Sequence, residues 1–263
     1  MGETSMSTEV EKQDEIFDYR TLRLLVGIVA FALPIVVWAA ARIACVRIDS
    51  ISASYWVDDA RDLFVGALFI IATLMTAYNG HDPSGDKSKN NGSGAAHPLM
   101  KWISEKWASK VAALMAIGVA LFPTTRPGGA TNTDTILHYI SAFVLFTIIT
   151  YFCLVSFRKR ALEKAVEAQK AAESLTGEKK RKQEEIACKA RRRALIYRIC
   201  GWTIIISLVL AGTSFFEPIG KYTDWWNLFL GELFALWAFG VSWFTASKVV
   251  SPLAQKDEQH HLM

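Results

Sequence analysis

Three ionisable side chains stand inside or at the mouth of long apolar runs: Asp62, His138 and Glu232. Glu232 lies seven residues past Trp225, roughly 10 Å of helical rise into its run. A carboxylate left unpaired in hydrocarbon costs several kcal/mol, so Glu232 must be protonated, paired or open to a polar cavity. His138, near the start of another run, is the natural partner. Asp62 opens a third, and Ser50, Ser52, Ser54, Asp58, Asp59 and Asp224 crowd the same rim. Such a set could recognise a lipid headgroup or another polar ligand, with Asp62, His138, Glu232, Ser52 and Asp58 as the candidate contacts. Two carboxylates and an imidazole could also bind a metal or exchange protons.

Each residue has a plainer reading. Asp58, Asp59 and Asp62 at a helix start are what capping and the helix dipole favour. One His with no second His or Cys at ligand spacing lacks the pattern of a zinc site, so no metal is expected; His138, Asp62 and Glu232 would be the only candidates. Neither a Gly-x-Ser-x-Gly elbow nor an HExxH motif occurs, so catalytic residues and cofactors stay unknown, with His138 the base or ligand a hydrolase would use and Glu232 the proton carrier of a transporter. A binding protein is therefore expected ahead of its two rivals, a membrane-embedded lipid hydrolase and a small proton-coupled transporter.

The elements that must position these groups are long and apolar. Stretches free of Asp, Glu, Lys and Arg run over Leu24–Ala41, Leu63–Gly80, Val111–Thr125, Ile136–Phe157 and Ile199–Phe216, and Trp225–Ser247 is broken only by Glu232. About 20 mostly apolar residues cross a hydrocarbon core of roughly 30 Å. The third run is short, but it reaches that length if it extends back to Trp107 with the Lys110 stem snorkelling to the headgroups. The expected fold class is an all-α integral membrane protein, a six-transmembrane-helix bundle. Hydrophobic residues make up 52% of the 263, too many all-round apolar helices for one soluble domain.

Basic residues set the expected orientation. With the N-terminus in the cytoplasm, the outer loops hold only Arg42, Arg47, Arg61, Arg126 and Lys221 of the 29 Lys and Arg. The reading is a cytoplasmic tail over 1–20, helices one to four over 21–157 with a turn-rich cytoplasmic loop at 81–106, a charged segment over 158–198, helices five and six over 199–247, and a cytoplasmic tail over 248–263. A plasma membrane, or a bacterial inner membrane, is the expected location. The segment 158–198 carries 14 Lys and Arg against six Glu and is rich in Ala, Glu, Lys and Gln, with a break at Leu175-Thr176-Gly177. It reads as a charged cytoplasmic helical hairpin between helices four and five. Arg191, Arg192 and Arg193 at its base should attract anionic lipid headgroups by about 1 kcal/mol each, although a topology anchor alone would explain them. Nucleic acid is not an expected partner, since no fold module or aromatic interleaving accompanies the charge. Membrane lipids are, and an oligomer is compatible with the composition.

Small residues should govern packing. Ala112, Ala116 and Ala120, with Gly118 nearby, let a neighbouring backbone approach helix three, which as the shortest span is expected near the bundle centre. Pro34 and Pro123 should bend or stop their helices. Trp38, Trp56, Tyr222, Trp225 and Trp226 at one face, and Trp102, Trp107, Tyr197 and Trp202 at the other, read as interfacial belts. The four cysteines, Cys45, Cys153, Cys188 and Cys200, show no CxxC spacing, and with only Cys45 near the outer face no outer intramolecular disulfide is expected.

The stretches Ser50-Ile51-Ser52-Ala53, Asp62-Leu63-Phe64-Val65-Gly66, Leu121-Phe122-Pro123, Leu137-His138-Tyr139-Ile140-Ser141-Ala142 and Gly231-Glu232 leading to Ala235-Leu236-Trp237 resemble the Frag1/DRAM/Sfk1 group of six-helix membrane proteins. The resemblance spans the six helices but not the 158–198 hairpin. It implies a role in lipid organisation with no agreed chemistry. The Ser-then-Asp entry to helix two and the His are also similar to the alkaline ceramidase and adiponectin receptor superfamily of zinc-dependent lipid hydrolases. The late HxxxH pair that those enzymes use for metal is absent here.

Overall fold

The computed structural model describes residues 3–78, 105–126, 129–214 and 226–249, with side chains from Arg20 onward and that of Trp226 excepted. Seven α-helices occur among them: α1 Glu3–Ile43, α2 Asp58–Ala77, α3 Glu105–Leu121, α4 Thr133–Tyr151, α5 Arg158–Glu173, α6 Gly177–Thr213 and α7 Trp226–Ser247. A 3-10 turn at Ser52–Trp56 precedes α2, and a π-helical turn at Phe152–Phe157 joins α4 to α5 as one rod. The result is all-α with six helical rods, five of them long and apolar enough to cross a membrane. The exception is α3, with 17 residues. The 81–104 loop, the 250–263 tail, Asp224 and Lys221, and the belt residues Trp102, Tyr222 and Trp225 lie outside the described residues, as does the side chain of Trp226.

Two compact units divide the chain, one of residues 1–35 and 150–263, the other of residues 36–149. In the second, α3 lies against both α2 and α4. Ser109 Oγ donates to the Met75 carbonyl, and Tyr78 donates through its hydroxyl to Glu105 Oε2 at 3.3 Å. On the α4 side, a Cβ at Gly118 would come within 2.5 Å of Ser141 Oγ, so only glycine permits that approach. The Ala112, Ala116 and Ala120 stripe is buried as small-residue packing requires. An apolar edge of α3, made of Trp107, Val111, Leu114 and Leu121 on one helical face, is exposed.

In the first unit, α1 meets α7 through Gly27 and Gly240, where an added Cβ at Gly240 would lie 2.9 Å from Phe31 Cβ and 3.0 Å from the Gly27 carbonyl oxygen. Phe31 stacks on Trp237 at 5.3 Å beside this contact. The hairpin of α5 and α6 closes through alanines: Ala165, Ala168 and Ala172 on one helix, Ala187, Ala190 and Ala194 on the other, all buried. Their three- and four-residue spacing makes one face per helix, and the Lys, Arg and Glu residues take the remainder. Gly177 begins α6 at φ 63, a left-handed conformation that side-chain-bearing residues adopt at a cost.

Of the two prolines expected to bend or stop their helices, Pro34 lies within α1, which continues to Ile43, because inside a membrane bundle local adjustment and neighbouring helices can re-satisfy the carbonyl that proline leaves free. Pro123 does mark an end, with α3 finishing at Leu121. Tyr197 is no belt residue: it is buried against Phe157 at 5.4 Å, whereas Trp38, Trp107 and Trp202 are exposed.

Candidate functional site

The groups expected at the outer rim find local partners. Asp58 and Asp59 occupy the first turn of α2, and the exposed Arg61 guanidinium lies 3.9 Å from Asp58 and 3.4 Å from Asp62. Ser52 is buried with its hydroxyl 3.3 Å from Ser50 Oγ, which accepts the Ala53 N–H at 2.9 Å. This holds the 3-10 turn that delivers the chain to α2.

His138 is buried on the first turns of α4, 2.7 Å through Nδ1 from the Phe122 carbonyl oxygen. A carbonyl only accepts, so Nδ1 carries the proton. The Val119 carbonyl also lies beside the ring, and Pro123, four residues on, has no N–H to offer it. His138 therefore serves the carbonyls at the end of α3. Asn132 caps the same helix start, its Oδ1 accepting the Thr135 N–H at 3.0 Å. Asp62 and His138 belong to the unit of residues 36–149, Glu232 to the other. Glu232 is half-buried on α7 and is not an isolated charge. Among the described residues no cluster of His, Cys, Asp or Glu could hold a metal.

The first unit contains a different polar site. Five basic side chains, Arg23, Arg160, Lys164, Arg193 and Lys248, line a cavity of about 270 Å3 together with Tyr197, Phe157 and two alanines. None of the described residues that line it carries a carboxylate. Each of four bases stands near the end of an apolar run: Arg23 one residue before Leu24, Arg160 three after Phe157, Arg193 six before Ile199, and Lys248 one after Ser247. Four rods thus bring long basic residues near the ends of their apolar runs into one cavity.

Several of these side chains are held in place. Arg23 donates through Nη1 to the Ala246 carbonyl at 3.1 Å. Arg160 lies over the Phe157 ring at 5.4 Å, with Nη2 3.4 Å from Ser156 Oγ. Below them Phe157 packs edge-on against Trp243 at 5.8 Å and at a tilt against Tyr197. The π turn ends at Phe157 and sets the register in which Phe157 and Arg160 face this cavity; π turns recur at functional sites.

Arg193 is the exceptional member. It is 3% exposed, and its Nη1 has no hydrogen-bond partner among the described residues. A buried guanidinium nitrogen without an acceptor is costly, and an acceptor from outside the described residues would remove that cost. Arg191 and Arg192, grouped with Arg193 by sequence, are exposed instead, and Arg191 Nη2 reaches Gln169 Oε1 at 3.4 Å. The helical turn separates the three: successive residues lie about 100° apart, so only one faces the bundle. The cavity was not legible in the sequence, although the one signal for it was present, a basic residue at the same end of four apolar runs.

No protein-family model, curated protein sequence or solved structure matches the chain. Neither resemblance drawn from the short motifs therefore assigns it to a family.

Proposed function

We propose that this multi-pass membrane protein is a binding protein that holds the anionic group of a lipid headgroup in the Arg193 cavity, without transforming it. The observation that carries this reading is the buried Nη1 of Arg193, without a hydrogen-bond partner among the described residues, in a cavity that four further basic side chains line. Guanidinium and ammonium groups gathered at headgroup level suit an anionic lipid, because the apolar runs that end there place the acyl chains alongside. The outer rim supports a headgroup site less well, since Asp62 pairs with Arg61 and His138 with a backbone carbonyl. A hydrolase or a proton-coupled transporter at this cavity would have to draw its nucleophile or proton carrier from Tyr197, Lys164 or Lys248, a set that suits anion binding better.

The test is retention of phosphatidylglycerol against phosphatidylcholine by the purified full-length chain, followed by native mass spectrometry. Arg193→Gln should weaken phosphatidylglycerol retention about tenfold, the worth of a charge-assisted hydrogen bond in a desolvated site. Arg191→Gln with Arg192→Gln should cost less and lose its effect at high salt, because exposed charges are screened. Equal retention of the two lipids by the native chain would overturn the reading.

A further inference from the structure

We infer that α6 pairs with the α6 of a second copy of this chain, through the side of the α5–α6 hairpin that is turned away from the Arg193 cavity. Leu195, Ile199, Trp202, Ile206 and Val209 are all exposed, and their alternating four- and three-residue spacing sets them on one face of α6. On α5, Leu162 and Val166 stand one turn apart and are exposed as well. Leu162, Val166 and Leu195 each follow by two residues a side chain that lines the cavity, Arg160, Lys164 and Arg193, which is about 200° around the helix. Arg191 Nη2 lies 3.4 Å from Gln169 Oε1 and bridges the two helices on this side. Arg191 is one turn before Leu195 and Gln169 three residues after Val166, so the two apolar faces join into one patch.

What covers the patch follows from how far it reaches. Ile199 to Val209 lie within an apolar run, where lipid tails cover them as well as another helix would. Val166 is different: it comes nine residues after Phe157, where its run ends, about 13 Å of helical rise beyond the hydrocarbon. The headgroup layer is only about 5–8 Å thick on each side, so acyl chains do not reach Val166. A partner must therefore be apolar along the hydrocarbon, through the headgroups and into water, at matching levels. A second α5–α6 hairpin meets that condition, because every copy inserts in the same orientation and presents the same residues at the same depths. Two copies related by a two-fold axis along the membrane normal bring α6 against α6 in parallel.

The spacing of the stripe agrees with self-pairing. Apolar residues repeating every 3.5 positions form the seam of a left-handed parallel helix pair. One heptad before Leu195 stands Cys188, and one heptad before Ile199 stands Arg192, both exposed. Cys188 extends the seam to three heptads, from 188 to 209. A single polar residue at a seam position lowers stability but fixes register and the number of strands, and Arg192 takes that part here.

Cys188 lets a native thiol report on the pairing. Across a seam position two cysteines come within the roughly 4.4–6.8 Å Cα separation that a disulfide needs. The full-length chain carrying Cys45→Ser is oxidised in its membranes with copper phenanthroline and oxygen, and the purified, unoxidised chain is weighed by native mass spectrometry. We expect a disulfide-linked dimer that Cys188→Ser removes, and a non-covalent dimer in the spectrometer. Val166→Lys with Leu195→Lys places like charges across the axis and should lower the linked fraction about tenfold. Val166→Lys alone, outside the bilayer, should lower it in part in a chain whose membrane span is untouched. Linking that these substitutions suppress upholds the inference even where detergent separates the copies. Phosphatidylglycerol retention should stay at the native level in both variants, so the headgroup reading stands or falls separately. A monomer with no linked dimer would show that lipid alone meets this face and would overturn the inference. Linking that persists in the Lys variants would mark random collision, and a dimer that does not link through Cys188 would place the interface elsewhere; either result overturns it. Linking of Cys188 to a different protein would assign the face to that protein instead.

Discussion

Arg23 donates through Nη1 to the carbonyl oxygen of Ala246 at 3.1 Å, joining the first turn of one apolar run to the last turn of another across 223 positions of sequence. The Ala246 carbonyl belongs to the final turn of α7, where carbonyls have no intrahelical donor and where the helix dipole favours a cation. The bond therefore does two things: it caps α7 and aims a guanidinium into the basic cavity. Arg23→Met removes both. We expect a loss of about 1–2 kcal/mol in detergent unfolding together with weaker retention of anionic lipid. An unchanged unfolding midpoint would show that the cap contributes nothing.

The α1–α7 contact tolerates no side chain at its centre. Gly240→Leu should destabilise by about 1–3 kcal/mol or more, since the new Cβ meets Phe31 Cβ and the backbone oxygen of Gly27. Gly66 is the matched control, with nothing within 4 Å of a Cβ placed there. Gly66→Ala should be neutral or stabilise α2 by about 0.5–1 kcal/mol. Similar effects of the two substitutions on thermal unfolding would discredit the close approach.

His138 is expected to act on stability through its bond to the Phe122 carbonyl. His138→Phe keeps the ring volume but leaves that carbonyl without its donor, at a cost of about 1–3 kcal/mol. His138→Gln, which can still donate, should recover part of this. A double-mutant cycle with Glu232→Gln asks whether the two residues meet. Coupling above about 0.5 kcal/mol would support the outer-rim pair as a candidate site, and strictly additive effects would rule it out.

Orientation can be read from the native thiols. Cys45 and Cys188 are exposed, while Cys153 and Cys200 are buried. Ser54, at the outer rim by sequence, is fully buried and would make a poor reporter. With both termini in the cytoplasm, an impermeant maleimide added to intact cells should label Cys45 and spare Cys188, and Cys45→Ser should abolish the signal. Labelling of Cys188 in sealed cells would reverse the orientation.

The sequence by itself was enough for the all-α class and for the apolar rods, because hydrocarbon demands about 20 apolar residues and satisfied backbone, a constraint met locally within each helix. The hairpin was legible for the same reason: alanine-rich faces and a glycine able to take φ 63 are local properties. Residue contacts were not. That the Nδ1 of His138 meets the Phe122 carbonyl oxygen at 2.7 Å, beside a proline-ended helix, could not be read from the residue types. Arg191, Arg192 and Arg193 look alike as three adjacent bases, and only the facing of α6 decides that Arg193 is enclosed while its neighbours meet solvent. The basic cavity joins residues from position 23 to position 248, so it exists only once the helices have packed and brought these bases into one cavity. What a helix is follows from neighbouring residues and solvent; what its charges face depends on helices remote in sequence, and tertiary packing alone decided that.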